Sequence, residues 1–347
     1  MSDRRLFERS RAAVTAILIG ASLLATSGVP AVANERPVSA ASPYVVIVGG
    51  AADTPARALD EARDPATTRD TERVIRGLGL SPDRLFSSAV HGFAGRLTDL
   101  QIASLLADPR VRAVIPDRVI RGDRGDPGGG AGGEAAPVRT TVLAAQVVPT
   151  GIRRVRADRS PIARIDGLDT RIDVDVAILD SGIADHPDLA IAGGYDCMSP
   201  FPDAWRDRYG HGTHVAGIVG AIDDRAGVVG VAPGVRLWAV KILDDNDMGT
   251  LSSFLCGIDW VMSQRDPLDA GRPLIEVANM SVSSRLAGAD DRDCGTHADD
   301  AVHLAICASV ADGTTYVAAA GNQGYDARDR LPAAYDEVIT VSAMADY

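Results

Sequence analysis

The feature that most constrains the fold is a series of apolar segments that alternate with helical patterns from residue 174 onward. Strands that are apolar along their whole length are typical of parallel sheets covered by helices on both faces. The sequence therefore predicts an α/β fold with a mainly parallel sheet between helices. The segments are VDVAILD (174–180), HGTHVAGIVGAI (211–222), VRLWAVKIL (235–243), LSSFLCGIDWVMSQ (251–264), IEVANMSV (275–282), HADDAVHLAICASVADG (297–313), TTYVAAAGN (314–322) and VITVSAM (338–344).

A shorter set of elements precedes these, over residues 43–121. Its predicted order is β-α-β-β-α-β, which is the order of a small ferredoxin-like α+β module. The elements are a strand at 44–48, a helix at 54–78, two strands within 85–98 that meet near Gly92, a helix that Asp99 caps and Pro109 ends, and a strand at 111–120.

Two regions outside these modules predict export and processing. A basic start precedes an apolar run from Ala12 to about Val29, and Ala31-Val32-Ala33 supplies a small-residue cleavage pattern. This pattern indicates a secretory signal peptide over residues 1–33, with an uncleaved membrane anchor as the alternative. Residues 122–145 are rich in glycine and predict a flexible linker or processing region. We therefore expect a secreted protein without stable membrane association after signal cleavage.

The net charge and the cysteine content indicate which binding partners, disulfides and metal sites this chain can have. The net charge of −12 argues against a nucleic-acid-binding protein, because such proteins usually present a basic face. In an oxidising compartment the cysteines favour disulfides, and their connectivity stays open. Cys294 and Cys307 are close in sequence and predict one bond, whereas Cys256 is either a disulfide partner or a free, buried helix residue. No C-x-x-C occurs, which disfavours zinc-ribbon chemistry.

Asp180 and His211 stand where an open parallel sheet places its active site, beyond the carboxyl ends of the strands. Asp180 ends the strand VAILD, and a turn-capping aspartate is the alternative. His211 lies where a glycine-flanked turn meets an apolar helix; Gly212 leaves room around the ring, and Gly217 predicts close packing of that helix on the sheet. A buried structural histidine is the alternative. A zinc site with His214 is disfavoured because no glutamate lies between the two histidines and no third ligand is evident.

Asn322 follows directly on a strand of small residues, in VAAAGNQG (317–324). The small residues Ala319, Ala320 and Gly321 leave space for a substrate. A side-chain amide beside that space can donate a hydrogen bond to a developing oxyanion. A turn asparagine is the alternative.

Together these segments resemble the subtilisin-like serine proteases (subtilases, peptidase family S8). VAILDSGI resembles the aspartate motif of that family, GHGTHVAG its histidine motif and AAAGN its oxyanion-asparagine segment. The resemblance runs from about Gln146 to the last residue, and residues 43–121 resemble the inhibitor I9-type propeptide that precedes these proteases. It implies a three-layer subtilisin-like domain over residues 146–347 that is incomplete at its C-terminus.

The resemblance also implies roles for the residues of the site. Asp180 would orient and stabilise the imidazolium, His211 would act as general base and then as acid, and Asn322 would stabilise the oxyanion. Protein or peptide substrates would pair with one strand and lie against a second. We expect the primary pocket to accept a moderately large apolar residue. The implied substrate-binding residues are Ser281, Val282, Ser283, Ala319, Ala320 and Gly321.

A structural calcium site is implied by the same resemblance, through HPDL (186–189) and the loop IDDRAGV (222–228). Ca²⁺ prefers oxygen ligands, and weak sites suit extracellular calcium concentrations. A solvated acidic loop is the alternative. The implied ligands are the carboxylates of Asp188 and Asp224 and the backbone carbonyls of Ile222, Ala226 and Val228.

The nucleophile of the family lies in a Gly-Thr-Ser-Met-Ala segment that begins a buried helix well downstream of the asparagine motif. Ser342 instead follows a valine within a β-branched strand. We therefore expect that Ser342 is not the nucleophile and that these 347 residues lack the serine. Two interpretations follow. The first is a monomeric, secreted endopeptidase zymogen whose own propeptide is an intramolecular inhibitor. The second is a non-catalytic peptide-binding or inhibitory remnant.

Overall fold

The structure is a computed structural model that describes residues 40–50, 52–121, 145–284, 293–295 and 300–344. The predicted signal peptide and nearly all of the predicted linker lie outside the described residues. None of the helices in the described ranges combines the length and the hydropathy that a membrane span requires.

The N-terminal module contains an antiparallel sheet and three helices. Its elements are β1 (Ser42–Val48), α1 (Pro55–Ala62), α2 (Pro65–Gly77), β2 (Arg84–Phe86), β3 (His91–Leu97), α3 (Asp99–Leu106), β4 (Val111–Pro116) and β5 (Val119–Arg121). Strands β2, β3, β1 and β4 form the sheet in that order. The order of elements is the predicted one, except that the predicted helix at 54–78 is two helices and the predicted strand at 111–120 is two strands, β4 and β5. Pro65 begins the second helix and Asp64 caps it, since proline is favoured at a first helical position. The predicted cap of α3 is wrong, because Thr98 caps that helix and Asp99 is its first residue.

The position of Gly92 corrects one detail of this module. Gly92 lies inside β3 and does not mark a turn between the two strands, which are separated by residues 87–90. A Cβ on Gly92 would lie 2.0 Å from the carbonyl oxygen of Val46 on β1. Glycine is therefore required there by the close approach of two strands.

The second part of the chain contains the predicted parallel sheet. Its elements are α4 (Thr150–Arg154), β6 (Asp175–Asp180), β7 (Ile191–Asp196), α5 (His211–Gly220), β8 (Arg236–Lys241), β9 (Met248–Thr250), α6 (Leu251–Ser263), β10 (Val277–Met280), α7 (Ala301–Asp312), β11 (Thr315–Ala319) and β12 (Val338–Val341). Six of these strands form one sheet in the order β12-β11-β10-β6-β8-β7, and every pairing in it is parallel. This confirms the predicted α/β class.

Helices cover both faces of the parallel sheet. Alternate side chains of each strand point to opposite faces, so both sets pack against helices. In β6, Ala177 and Leu179 belong to the core shared with α6 and α7, whereas Val176 and Ile178 belong to the core shared with α5. The strand is therefore buried on both faces, which explains its continuous apolar sequence.

Two disulfides are present among the described residues. Cys294–Cys307 is the predicted bond. Cys197–Cys256 joins the residue after β7 to α6 across 59 positions, so the interpretation of Cys256 as a free helix residue is wrong.

The N-terminal module packs on α6 and α7. Strand β5 pairs antiparallel with β9, and α1 lies against α7. On α6, the carboxylate of Asp259 accepts hydrogen bonds from the backbone N–H groups of Ser87 (3.2 Å), Ser88 (2.7 Å) and Ala89 (2.7 Å). The backbone N–H groups of the turn before β3 thus donate hydrogen bonds to a carboxylate on α6.

Candidate active site

Asp180 and His211 form a hydrogen-bonded pair at the carboxyl end of β6. Asp180 is the last residue of β6 and is 0% exposed. Its Oδ1 and Oδ2 lie 2.8 and 2.9 Å from Nδ1 of His211, and Oδ1 also accepts the backbone N–H of Ser181 at 2.7 Å. With its carboxylate held on several sides, Asp180 fixes the orientation of the imidazole and favours the tautomer that carries its proton on Nδ1.

The close approach of α5 to the end of β6 depends on Gly212. His211 is the first residue of α5, and a Cβ on Gly212 would lie 2.2 Å from the carbonyl oxygen of Gly182 and 3.1 Å from Cβ of Asp180. The prediction for Gly217 is wrong, because no atom lies within 4 Å of a Cβ built there. Gly220 makes the close contact instead, against Val235 and Leu237 of the sheet region.

The electrostatic surroundings of His211 favour its charged form. The hydrogen bond to Asp180 raises the pKa of His211 above its ordinary value of 6.5, while burial acts in the opposite direction. The negative charges of Asp180, Asp247 and Asp207 raise the pKa further. The side chain of His211 is 32% exposed, so the ring is accessible to solvent although its partner is buried.

Asn322 lies at the same edge of the sheet as Asp180. It follows β11, and β10 lies between β11 and β6 in the parallel sheet. Gly321 has a φ of 96°, a left-handed conformation that turns the chain as it leaves the sheet. Asn322 is exposed.

The predicted substrate-binding segments are neighbours at this edge. Ser283 is 7% exposed, and its Oγ lies 3.1 Å from where a Cβ on Gly321 would be. That hydroxyl has no hydrogen-bond partner among the described residues. Val282 is 1% exposed and belongs to the core, so only its backbone is available to a bound peptide. The hydroxyl of Ser281 accepts a hydrogen bond from Nδ2 of Asn279 at 3.0 Å.

Comparisons with known sequences identify two families in this chain. Residues 172–346 match the Subtilase family, and residues 58–122 match the family Peptidase inhibitor I9. The chain belongs to the subtilase family. Asp180, His211 and Asn322 all lie within the matched range.

Individual relatives cover part of this subtilase. It is 40% identical over 171 residues to the minor extracellular protease Epr of Bacillus subtilis, an alignment that covers 49% of the chain and 23% of the relative. It is 37% identical over 203 residues to the thermostable alkaline protease of Halalkalibacterium halodurans, covering 58% of the chain and 49% of the relative. It is 37% identical over 205 residues to subtilisin DY of Bacillus licheniformis, covering 58% of the chain and 65% of the relative. The chain therefore spans less than two thirds of each of these relatives.

Ser342 of this subtilase follows the edge strand β12. Strands β11 and β10 separate β12 from β6, and neighbouring strands lie about 4.8 Å apart. Ser342 is thus on the order of 14 Å from the line of β6 that carries Asp180, a distance that no hydrogen bond to His211 can span.

The loop after α5 brings together several of the predicted calcium ligands. Asp188 is 2% exposed, and burial raises the pKa of its carboxyl above the ordinary value of 3.8. Its Oδ2 accepts the backbone N–H of Val228 at 3.2 Å, whereas its Oδ1 has no hydrogen-bond partner among the described residues. A Cβ on Gly227 would lie 2.6 Å from Oδ2 of Asp188. A buried carboxylate oxygen without a donor, in a cradle that a side chain would fill, fits an oxygen-coordinated cation.

The side chains of Asp224 and Gln146 also make hydrogen bonds at this loop. Asp224 is exposed, and its Oδ1 accepts the N–H of Ala226 at 3.0 Å within its own loop. Gln146, which sequence reasoning did not include, donates from Nε2 to the carbonyl oxygen of Ile222 at 3.0 Å. The side-chain amide of Gln146 therefore lies beside the loop.

Proposed function

We propose that this subtilase is a secreted serine endopeptidase in zymogen form, which hydrolyses peptide bonds by an Asp-His-Ser mechanism. Asp180 holds the imidazole, His211 removes the proton of the attacking hydroxyl and returns it to the leaving amine, and Asn322 donates to the oxyanion. The observation that supports this most directly is the contact of both carboxylate oxygens of the buried Asp180 with Nδ1 of His211. We expect that the attacking serine is not Ser342, because β11 and β10 separate the strand before Ser342 from β6.

A fluorophosphonate probe tests this mechanism, because it reacts only with an activated serine. The protein should be produced from its own complete gene in a secreting host, with His211→Gln and Ser342→Ala as variants. We expect labelling of one serine, which mass spectrometry then locates. His211→Gln should abolish the labelling and Ser342→Ala should leave it unchanged. Without any labelling of the secreted protein, the chain is a non-catalytic peptide-binding or inhibitory remnant.

The N-terminal module is proposed to block the substrate cleft before it is removed. Its support is the antiparallel pairing of β5 with β9, which occupies a strand edge, and the buried side chain of Ile120 on β5. Extended peptides bind proteins by the same strand addition. We propose that processing removes residues 1–121 by cleavage between about Gly122 and Gln146. N-terminal sequencing of the active secreted protein tests this, and an intact module on an active enzyme would contradict it.

Calcium is proposed as a structural ligand, held by the carboxylates of Asp188 and Asp224 and by the backbone carbonyl groups of the loop. When bound, the ion would supply charge compensation for the buried carboxylate and would not take part in hydrolysis. Addition of Ca²⁺ should raise the melting temperature of the 347-residue chain, and Asp188→Asn should abolish that rise. Asp185→Asn is the matched control, since the side chain of Asp185 is 74% exposed. An equal rise in both variants would refute the site.

A further inference from the structure

Helix α5 begins without a capping side chain of its own. The residue before it, Gly210, has a φ of 103° and no side chain, although the first N–H groups of any helix lack partners within it. Two side chains from outside the helix supply the acceptors. Oγ of Ser181 accepts the N–H of Gly212 at 3.0 Å, and Oδ2 of Asp207 accepts the N–H of Thr213 at 2.9 Å.

Asp207 makes more contacts than a helix cap requires. Its carboxylate is buried, with the residue 8% exposed. Oδ1 accepts hydrogen bonds from Oγ of Ser181 (3.0 Å) and from the N–H groups of Tyr209 (2.9 Å) and Gly210 (2.8 Å). Oδ2 accepts from both the N–H and the hydroxyl of Thr213, at 2.9 and 2.6 Å. The carboxylate therefore accepts hydrogen bonds along the whole turn that precedes α5.

Ser181 connects this turn to the end of β6. Its hydroxyl donates to Asp207 and accepts from Gly212, and Ser181 directly follows Asp180 just as Gly212 directly follows His211. The two members of the pair are therefore each one residue away from the same hydrogen-bond network. On the other side of the turn, the buried Lys241 donates from Nζ to the carbonyl oxygen of Ser181 at 2.7 Å.

We propose that Asp207 is a positioning residue for the pair: it joins the first turn of α5 to the turn after β6 and so holds Nδ1 of His211 against both oxygens of Asp180. The contribution of Asp207 to catalysis rests on the proposed function, whereas its effect on the pair does not. A carboxylate that only stabilised its own loop would have no bond to Ser181, which is 26 residues away.

Proton NMR of the 347-residue chain tests this assignment without any hydrolysis. The titration of the His211 ring reports its charge, and the signal of the proton between Nδ1 and Asp180 moves to low field when that hydrogen bond is short. The His211→Gln variant identifies both signals among the 6 histidines. The charges that face His211 are those of Asp180, Asp207 and Asp247, and each acts in the same direction.

Asp207→Asn should lower the pKa of His211 and should move the Nδ1 proton signal to higher field or abolish it. Asp185→Asn is the matched control, because it removes one carboxylate whose side chain is 74% exposed and which bonds Arg206 instead of α5. We expect the control to leave the proton signal in place. A proton signal and a pKa in Asp207→Asn that equal those of the control would overturn the proposal.

The Ser181→Ala variant distinguishes an effect of positioning from an effect of charge. It also tests the proposal if Asp207→Asn does not fold. It keeps the carboxylate of Asp207 but breaks the bond between the two turns. We expect the Nδ1 proton signal to move to higher field, with a smaller fall in the pKa of His211 than in Asp207→Asn. An unchanged proton signal in folded Ser181→Ala would overturn the proposal. Because these readouts need no nucleophile, they can succeed or fail independently of the fluorophosphonate experiment.

Discussion

The two halves of the candidate site are held in place by different means. In the acid–base half (Asp180, Ser181, Asp207 and His211), side chains from β6, from the turn before α5 and from α5 itself bond one another, and the carboxylates are buried. In the oxyanion half (Ser283, Gly321 and Asn322), the backbone turns at Gly321 with a φ of 96°, and Asn322 is exposed. A proton-transfer pair must keep one distance, which a closed network provides. An oxyanion donor must instead face a substrate, which precludes burial.

The disulfides give the largest expected difference between these halves. Cys197–Cys256 closes a loop of 59 positions that includes Asp207 and His211, whereas Cys294–Cys307 closes a loop of 13 positions ahead of β11. In the chain-entropy treatment, loss of the first bond costs roughly 4 kcal/mol and loss of the second roughly 3 kcal/mol. Urea unfolding of the two double Cys→Ser variants, followed by tryptophan fluorescence, measures this order. A larger loss from the shorter loop would contradict this order and the entropic account behind it.

Substitutions in the two halves should have different effects on the pKa of His211. Asp180→Asn removes the carboxylate charge and so weakens the hydrogen bond that contributes most to the raised pKa of His211, and that pKa should fall. Asn322→Ala changes no charge, and we expect the titration of His211 to stay as it is. NMR titration of the ring in both variants measures the difference. If Asn322→Ala also lowers the pKa, the two halves are coupled and the comparison is wrong.

The raised pKa of His211 predicts how stability depends on pH. A histidine whose pKa is higher in the folded than in the unfolded state stabilises the fold fully below the unfolded pKa, near 6.5, and this contribution is lost as the pH rises through the folded pKa. The difference in unfolding free energy between the wild-type chain and His211→Gln should therefore be larger at about pH 5 than at about pH 9. Urea unfolding at both pH values measures it. A difference that is the same at both would mean that folding leaves the pKa of His211 unchanged.

The sequence predicted the parts of the site that depend on local pattern. Asp180 ends one apolar strand and Asn322 follows another, and the carboxyl ends of parallel strands meet at one edge, so their common edge could be derived. Asp207 could not be assigned in the same way. Its partner Ser181 is 26 residues away, and no local pattern states that Gly210 leaves the helix without a cap.

The same limit applies to contacts between distant segments. The pairing of Cys197 with Cys256 depends on how β7 and α6 lie across the sheet, and the contact of Asp259 with the turn before β3 spans about 170 residues. Gly217 shows the converse error: glycine in an apolar helix predicts close packing, but helical phase decides which glycine faces the sheet, and here it is Gly220.

The smallest expected effect lies in the oxyanion half, where two neighbouring serines should respond with opposite sign. Ser283→Ala removes a buried hydroxyl that has no partner among the described residues, and should stabilise the fold by about 1 kcal/mol. Ser281→Ala, the matched control, removes the acceptor of the Asn279 amide and should destabilise it by about 1 kcal/mol. Urea unfolding measures both. If Ser283→Ala is destabilising as well, its hydroxyl is bonded in the native protein, and the oxyanion half is as closely connected as the acid–base half.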